Sequence, residues 1–377
     1  MLDRLPNEIL YQILAQLSSV PPPSYTQLNT PPSPHIVRAS SSSPLKNFAR
    51  VSSHFAELVR PVLFAHCCCD IARIGDFLSF VARFSLQRRI ISIVVIARSD
   101  EDTPDDVPEQ GGKDASNTPW WRRLFRETNP SQLTLIAPPT VIGQAVATNV
   151  MDGHNWAFDI TFQTLSLEQD VQEKQQQQEL QKQPNDWPTL LHTRRWKTVC
   201  FNESSSLKAY NHYEYFRHRV PSILDAWGNP GSTLHMGSRL ENPLANITHF
   251  RYTAVFPFYN HICTVLRVVQ TAMPSLESLS AQLAPDRNNR AIEKEQRGSM
   301  DPNDPWMELS TGFSLIARVV RDLGEKGRMK RFQACDYDIE ALRSNLSTVI
   351  CDVLPSSQWE HDGSGTWTKR EPIDENQ

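Results

Sequence analysis

Seven short apolar segments between residues 89 and 335 constrain the fold of this 377-residue chain more than any other feature. They are rich in β-branched and aromatic residues, which is typical of strands. Apolar residues at helical spacing fill several of the gaps between them, most clearly over residues 261–273 and 313–324. Strands that alternate with helices predict a mixed α/β fold with a largely parallel sheet. The predicted strands cover residues 89–97, 131–137, 157–165, 195–201, 246–252, 275–283 and 330–335.

A faint repeat runs through the same region. The stretches "NPSQLTLI" (129–136) and "MPSLESLS" (273–280) both lead from a Pro-Ser pair into a predicted strand. A spacing of 27 residues, inside the range of leucine-rich repeats, separates two pairs of positions, Leu133 with Ile160 and His249 with Leu276. We therefore expect residues 70–355 to form an irregular, leucine-rich-repeat-like α/β solenoid. An ordinary α/β domain is the alternative.

The N-terminal part is organised differently, as two amphipathic helical segments on either side of a polar stretch. Over Asn7–Leu17 the apolar residues form one stripe of a helix, and Pro6 occupies the first turn, where a missing N–H costs nothing. A second helical face is predicted over residues 45–59, ended by Pro61. Residues 18–44 between them are dominated by Pro, Ser and Thr, which predicts a disordered insertion.

Three further segments lack the apolar residues that a packed core needs. Hydrophobic residues make up only 39% of the chain, and it holds 27 prolines against 14 glycines, which favours ordered segments joined by Pro-rich connectors. Residues 99–118 are acidic and residues 168–186 are rich in glutamine, so both are predicted to be loose insertions. Residues 356–377 are predicted to be a disordered tail.

Charge and cysteine content limit the partners and the compartment. A formal net charge of −4 provides no basic field for a phosphate backbone, so we expect no nucleic-acid ligand. The longest apolar run, residues 90–97, is too short to cross a bilayer, and polar residues interrupt the stretch a signal peptide would need. We therefore expect no membrane association. Seven cysteines, an odd number, favour reduced thiols and an intracellular protein of the cytoplasm, the nucleus or both.

The sequence offers few candidates for catalytic or metal chemistry. It contains no GxSxG, HExxH, P-loop or GxGxxG motif. The tract "HCCCD" (66–70) holds three adjacent cysteines, but neighbouring residues cannot easily aim three thiolates at one zinc ion. We expect some of these thiols to be buried as small hydrophobic groups and one to be exposed, with a metal or redox role as the alternative.

Histidines and tryptophans also favour packing over chemistry. In "NHYEYFRH" (211–218), His212 and His218 lack the i, i+4 spacing with which two imidazoles share a metal on a helix. Six tryptophans between residues 120 and 227 are expected to be core or interface bulk rather than a ligand groove. We predict a non-enzymatic protein without catalytic, cofactor-binding or metal-binding residues. An enzyme that uses the histidines of residues 192–218 is the alternative.

The two N-terminal segments resemble the F-box family. The match consists of "LPNEILYQILAQL" (5–17) followed by "LKNFARVSSHFAELVRPVLFAHC" (45–67), with both halves in order, and the resemblance covers residues 2–66. The family normally joins the halves through a few residues, whereas residues 18–44 intervene here. Lengthening such a flexible loop costs only on the order of 1 to 2 kcal/mol in closure entropy.

The resemblance implies a helical F-box module over residues 1–66 that binds the Skp linker protein and through it a cullin. Residues 70–355 would capture an unknown protein substrate, as in fungal F-box proteins with irregular leucine-rich repeats. The chain would then be the substrate-recognition adaptor of a Skp/cullin/F-box ubiquitin ligase; the alternative is an F-box-like scaffold acting outside a ligase. Candidate linker-binding residues, carried over from the matched motif, are Leu5, Pro6, Ile9, Leu10, Ile13, Leu17, Leu45, Val51 and Phe55.

The pattern alone does not separate residues that contact a partner from residues that pack inside the module. A unit this small cannot bury two apolar stripes within itself, so part of that surface is expected to be covered by a partner or by the body. The alternative is that the stripes pack only against the body of the same chain.

Overall fold

The structure is a computed structural model in which the described residues form two parts, an N-terminal module of three helices and a mixed α/β body on one open ten-stranded sheet. The predicted mixed α/β class is therefore confirmed. The predicted insertions lie mostly outside the described residues: 18–42, 99–118 and 171–186 are not among them. The structure describes residues 5–17, 43–98, 119–148, 150, 154–158, 162–170, 187–220, 222–224, 227, 242–285 and 301–371.

The N-terminal module consists of α1 (Asn7–Leu17), α2 (Ser43–Ala49) and α3 (Ser53–Leu63), and α1 has the predicted bounds. The second predicted helix is in fact two helices, because Ser52 is extended and caps α3 by accepting a hydrogen bond from the backbone N–H of Phe55 at 3.2 Å. The prediction that Pro61 ends the helix was wrong. Pro61 lies inside α3, where it removes a single backbone hydrogen bond, and the helix ends two residues later.

The strands and helices of the body alternate along the chain, and each of the seven predicted strands overlaps one of β2 to β8. The strands are β1 (His66–Asp70), β2 (Ser92–Ile96), β3 (Gln132–Ala137), β4 (Gln163–Glu168), β5 (Thr198–Ser205), β6 (His249–Val255), β7 (Ser278–Gln282), β8 (Arg331–Ala334), β9 (Trp359–His361) and β10 (Thr366–Lys369). The helices are α4 (Ile74–Arg83), α5 (Trp120–Glu127), α6 (Pro139–Ala145), α7 (Tyr213–His218), α8 (Tyr259–Ala272), α9 (Asp304–Glu325) and α10 (Glu340–Cys351).

Neighbouring strands of the sheet follow one another in sequence from β1 to β8, and β10 then pairs with β8 and β9 with β10. Strands β1 to β3 are parallel, as are β5 to β8, which confirms the predicted parallel pairing there. Strand β4 is antiparallel to both neighbours, so the sheet is mixed. Helix α6, which lies between β3 and β4, is too short to carry the chain back along β3, because its seven residues rise only about 10 Å, half the length of β3. Strand β4 therefore starts where β3 ends, and its first residue pairs with the last residue of β3.

One face of the sheet is covered by the described helices of the body, and the other carries polar side chains together with a small apolar cluster of Val94, Ile96 and Ile136 on β2 and β3. Alternate residues of the strands join α4 to α10 in one large apolar cluster, in which Trp196, Phe250 and Phe332 are fully buried. The opposite face holds a row of side chains in register across seven strands, which we call the polar row: Thr134, Ser166, Cys200, Arg251, Ser280, Gln333 and Thr366. The core therefore lies between the sheet and a single layer of helices.

The predicted disordered tail was wrong for residues 356–371. Strands β9 and β10 form an antiparallel hairpin that extends the sheet beyond β8, and Trp359 and Trp367 are buried. The rings of Trp367 and His361 stack with centroids 4.2 Å apart. Two tryptophans among polar residues supply the core contact without producing a periodic apolar pattern, so the apolar pattern did not predict these strands. The body consequently extends from β1 to residue 371 rather than over residues 70–355.

Candidate partner-binding site

The module has a small core of its own. Six side chains are buried in it: Leu10, Leu14, Leu45, Phe55, Leu58 and Val59. The rings of Phe48 and Phe55, from α2 and α3, meet with centroids 4.4 Å apart. This cluster is separate from the large cluster of the body, so the module is not simply an extension of the body core.

The structure divides the nine candidate linker-binding residues into three groups of three. Leu10, Leu45 and Phe55 are buried and hold the three helices together. Leu5 and Leu17 are partly buried at the edge of that core, and Ile13 is half-buried. Pro6, Ile9 and Val51 are exposed, Ile9 at 41% and Val51 at 65%. The candidates that the sequence pattern left undivided thus form a core group, a partly buried group at its edge and an exposed group.

The exposed group is a candidate contact surface because its members are apolar and solvent-exposed. Ile9 and Ile13 are one turn apart on α1 and so lie on the same side of that helix. Tyr11 is also exposed, at 49%, but projects from the opposite flank of α1. The motif did not single out Tyr11, since it falls between the positions of the apolar stripe.

The module joins the body through the end of α3. Phe64, directly after α3, packs on the body cluster, and its ring meets that of Phe80 with centroids 5.2 Å apart. The Arg60 guanidinium lies over the ring of Phe84, 4.9 Å from its centroid. The carbonyl of Ala65 accepts hydrogen bonds from the backbone N–H groups of Ile91 and Ser92. These contacts fix the direction in which α3 enters β1, while Ile9 and Val51 stay exposed.

The histidines of residues 192–218 are not brought together. His192 is hydrogen-bonded to Thr189, with 2.6 Å between Nδ1 and Oγ1, and His212 meets the ring of Trp156 edge-on. His218 is exposed at the end of α7. The tryptophans named from the sequence are buried or partly buried in the body cluster, as expected.

The cysteine tract forms β1 and alternates in exposure as a strand does. Cys67 is buried, Cys68 is exposed and Cys69 is half-buried, as expected for thiols that pack as small hydrophobic groups. Burial raises the pKa of the Cys67 thiol to about 12, so it is protonated at neutral pH. No group of three or more His, Cys, Asp or Glu side chains in the described part of the chain is arranged to hold a metal ion.

Sequence reasoning missed a buried polar cluster around Glu203, at the end of β5. Its Oε2 lies 2.6 Å from His261 Nε2 and accepts a hydrogen bond from the Tyr252 hydroxyl at 2.5 Å. Its Oε1 accepts from the Ser222 hydroxyl at 2.6 Å. These residues are 19 to 58 positions from Glu203, so no local motif connects them.

The Glu203 cluster is sealed from solvent, since Glu203 and His261 are fully buried. Burial by itself would raise the pKa of Glu203, but the charge of His261 and the hydrogen bonds from His261, Ser222 and Tyr252 outweigh it and lower the pKa. The arrangement holds an ionised carboxylate in place and offers a substrate no access. We therefore assign it to fixing α8 against β5 and β6 rather than to catalysis.

Comparisons with models of known protein families, with curated protein sequences and with solved structures find no match to this chain. None of the helices that the structure describes is both long and apolar enough to cross a membrane.

Proposed function

We propose that this chain is the substrate-recognition adaptor of a Skp/cullin/F-box ubiquitin ligase. The N-terminal module would bind the Skp linker protein, and the body would hold a protein substrate near the ligase. The observation that carries the proposal is the exposed group on the module. Ile9 and Val51 belong to the F-box-like motif, yet they take no part in the core that the same motif builds.

The character of these exposed residues supports a protein partner. Ile9 and Val51 are large, apolar and uncovered by the body, and apolar side chains of this kind supply the anchors of interfaces. Leu10, Leu45 and Phe55 would contribute indirectly, by holding α1, α2 and α3 in the arrangement that presents the anchors.

The body supports the recognition half of the proposal. From β1 to β8 its strands follow one another in sequence, and the described helices of the body all pack on one face, as an irregular leucine-rich-repeat-like solenoid requires. His66 pairs with Ser92 and His249 with Ser278, and both intervals fall within the range of such repeats. The antiparallel β4 and the longer remaining intervals make any such repeat irregular.

Binding of purified chain to the Skp linker protein, with and without a cullin, tests the proposal. The double variant Ile9→Ala, Val51→Ala is expected to weaken linker binding about thirtyfold, because two interface anchors at about 1 kcal/mol each lose about 2 kcal/mol together. The matched control is Ile91→Ala, a similarly exposed apolar residue on the body. It should bind as the wild type does.

Two results would reject the proposal. One is the absence of linker binding by the wild-type chain, and the other is equal binding by the double variant and the control. Linker binding that never recruits a cullin would point instead to a scaffold acting outside a ligase.

A further inference from the structure

Exposed large apolar side chains gather at one end of the body sheet. Outside the module, seven such side chains are exposed among the described residues, and four of them lie together where β5, β6 and β7 end. We call these four the aromatic patch: Tyr213, Tyr259, Trp306 and Met307. The carboxyl ends of parallel strands are a common position for binding sites in α/β sheets.

The patch is held together by the segment that follows β6. The ring of Phe258 lies 5.3 Å from that of Tyr213, and the ring of Phe256 lies 4.8 Å from that of Trp306, centroid to centroid. Both phenylalanines are fully buried, so they form a rigid floor under the exposed rings. Asn260 ties α7 to the start of α8 by donating to the carbonyl of Arg217 at 2.9 Å.

A carboxylate lies in the patch without a cationic partner. Glu308 Oε2 accepts the backbone N–H of Tyr259 at 2.6 Å. Burial raises the pKa of Glu308, the hydrogen bond from Tyr259 lowers it, and the nearby carboxylate of Asp304 raises it again. No described Lys, Arg or His lies within ion-pair distance of Glu308, in contrast to Glu277, which pairs with Lys330.

A cation in this position would relieve an unfavourable arrangement. The faces of tyrosine and tryptophan rings attract cations, and a half-buried carboxylate gains from a neighbouring positive charge. Met307, exposed at 61%, offers an adaptable apolar contact beside them. Burial raises the pKa of Tyr213 and the nearby carboxylate of Glu308 raises it further, while Arg217 of α7 acts in the opposite direction, so the Tyr213 ring lies close to the Glu308 carboxylate.

We propose that the aromatic patch and Glu308 bind a protein segment that presents an arginine or lysine between apolar residues. The cation lies beside Glu308 and against the exposed rings, and the apolar neighbours lie on Trp306 and Met307. The inference rests on the proposed function only in identifying the segment as part of a substrate, since the binding needs no linker protein.

A library of random linear peptides displayed on phage, selected against the purified full-length chain alone, tests this binding. Enriched peptides are expected to carry an arginine or lysine next to an aromatic or aliphatic residue. Their affinities, measured by fluorescence anisotropy, should fall about tenfold in Glu308→Gln and in Met307→Ala. Glu308→Gln keeps an oxygen that accepts the N–H of Tyr259, and Met307 is mostly exposed, so both variants should retain the fold by circular dichroism.

Glu325→Gln and Ile91→Ala are the matched controls, because they remove an exposed carboxylate on α9 and an exposed apolar side chain elsewhere. Both should leave the peptide affinity unchanged. Failure to enrich peptides, enrichment of peptides without a basic residue, or equal affinities for patch variants and controls would each overturn the inference. Linker binding by Glu308→Gln should equal that of the wild type, so this outcome is separate from that of the Ile9 and Val51 test.

Discussion

The N-terminal module and the body differ in how completely they bury apolar side chains and in whether they bury ionisable ones. The module buries six apolar side chains, buries no ionisable group among its described residues, and leaves Ile9 and Val51 exposed. The body builds one large apolar cluster and also buries Glu203, His261 and Asp336. A small helical unit has too little interior to cover its own apolar surface, whereas a large sheet with a helical layer can surround charged groups with partners. The module thus leaves exposed apolar side chains that the proposed linker protein would cover, whereas the body encloses its own core.

The largest expected effect is on the body, from Glu203→Gln. This change removes the charge that His261 faces in a fully buried site, and breaking such a pair costs about 3 to 5 kcal/mol in the free energy of unfolding. Urea denaturation followed by circular dichroism measures the change. Glu277→Gln breaks an exposed ion pair with Lys330 instead and should cost less than about 1 kcal/mol. Similar losses in both variants would show that the buried cluster does not stabilise the body.

The corresponding test of the module is Phe55→Ala. Removing this buried ring should cost about 3 kcal/mol, at the lower end for such a change, and the loss should be confined to the module because its core is separate. Amide hydrogen exchange should show lost protection in α1 to α3 and unchanged protection in β2 to β8. Tyr11→Ala, an exposed aromatic on the same unit, serves as the control and should change little. Loss of protection across the sheet would mean that the two parts fold as one.

The stability of the body should depend on pH in a way that the stability of the module does not. Burial raises the pKa of Asp336 to about 7, although the N–H groups of Leu283 and Ala284 act against the shift. The folded body therefore holds a proton that the unfolded chain has lost between about pH 4 and pH 7, so stability falls as pH rises through that window. Raising the pH from about 5.5 to about 7.5 should lower the free energy of unfolding of the body by about 2 kcal/mol.

The variant Asp336→Asn should remove this dependence, as measured by urea denaturation at both pH values. The pKa of Glu203 is lowered, so its own contribution is lost only as pH falls below the usual range of a carboxylate and does not enter this window. The module buries no ionisable group among its described residues, so its protection against hydrogen exchange should show no such trend. Equal pH dependence in wild type and variant would contradict the assignment to Asp336.

Periodic patterns predicted the elements of both parts, because they depend only on neighbouring residues. The stripe of α1 and the seven apolar segments were sufficient to locate α1 and β2 to β8. The break between α2 and α3 at Val51 and Ser52 was not predicted, because it depends on the capping geometry of Ser52, which the apolar pattern does not contain. The C-terminal hairpin was not predicted either, because Trp359 and Trp367 are buried by contacts with β8 and other distant residues, not with their neighbours in sequence.

The candidate sites were less predictable, because they depend on contacts between distant residues. The motif named both Leu10 and Ile9, but only the packing of α2 and α3 against α1 decides that one is core and the other exposed. The Glu203 cluster and the aromatic patch draw residues from three or more separate elements, and their spacing along the chain carries no signal.

Hydrogen exchange of the full-length chain with and without the Skp linker protein tests whether the module binds this partner. We expect slower exchange in α1 and in the turn around Val51 when the linker protein is present, with no change in β2 to β8. Slower exchange confined to the body, or no change anywhere at saturating linker concentration, would contradict it.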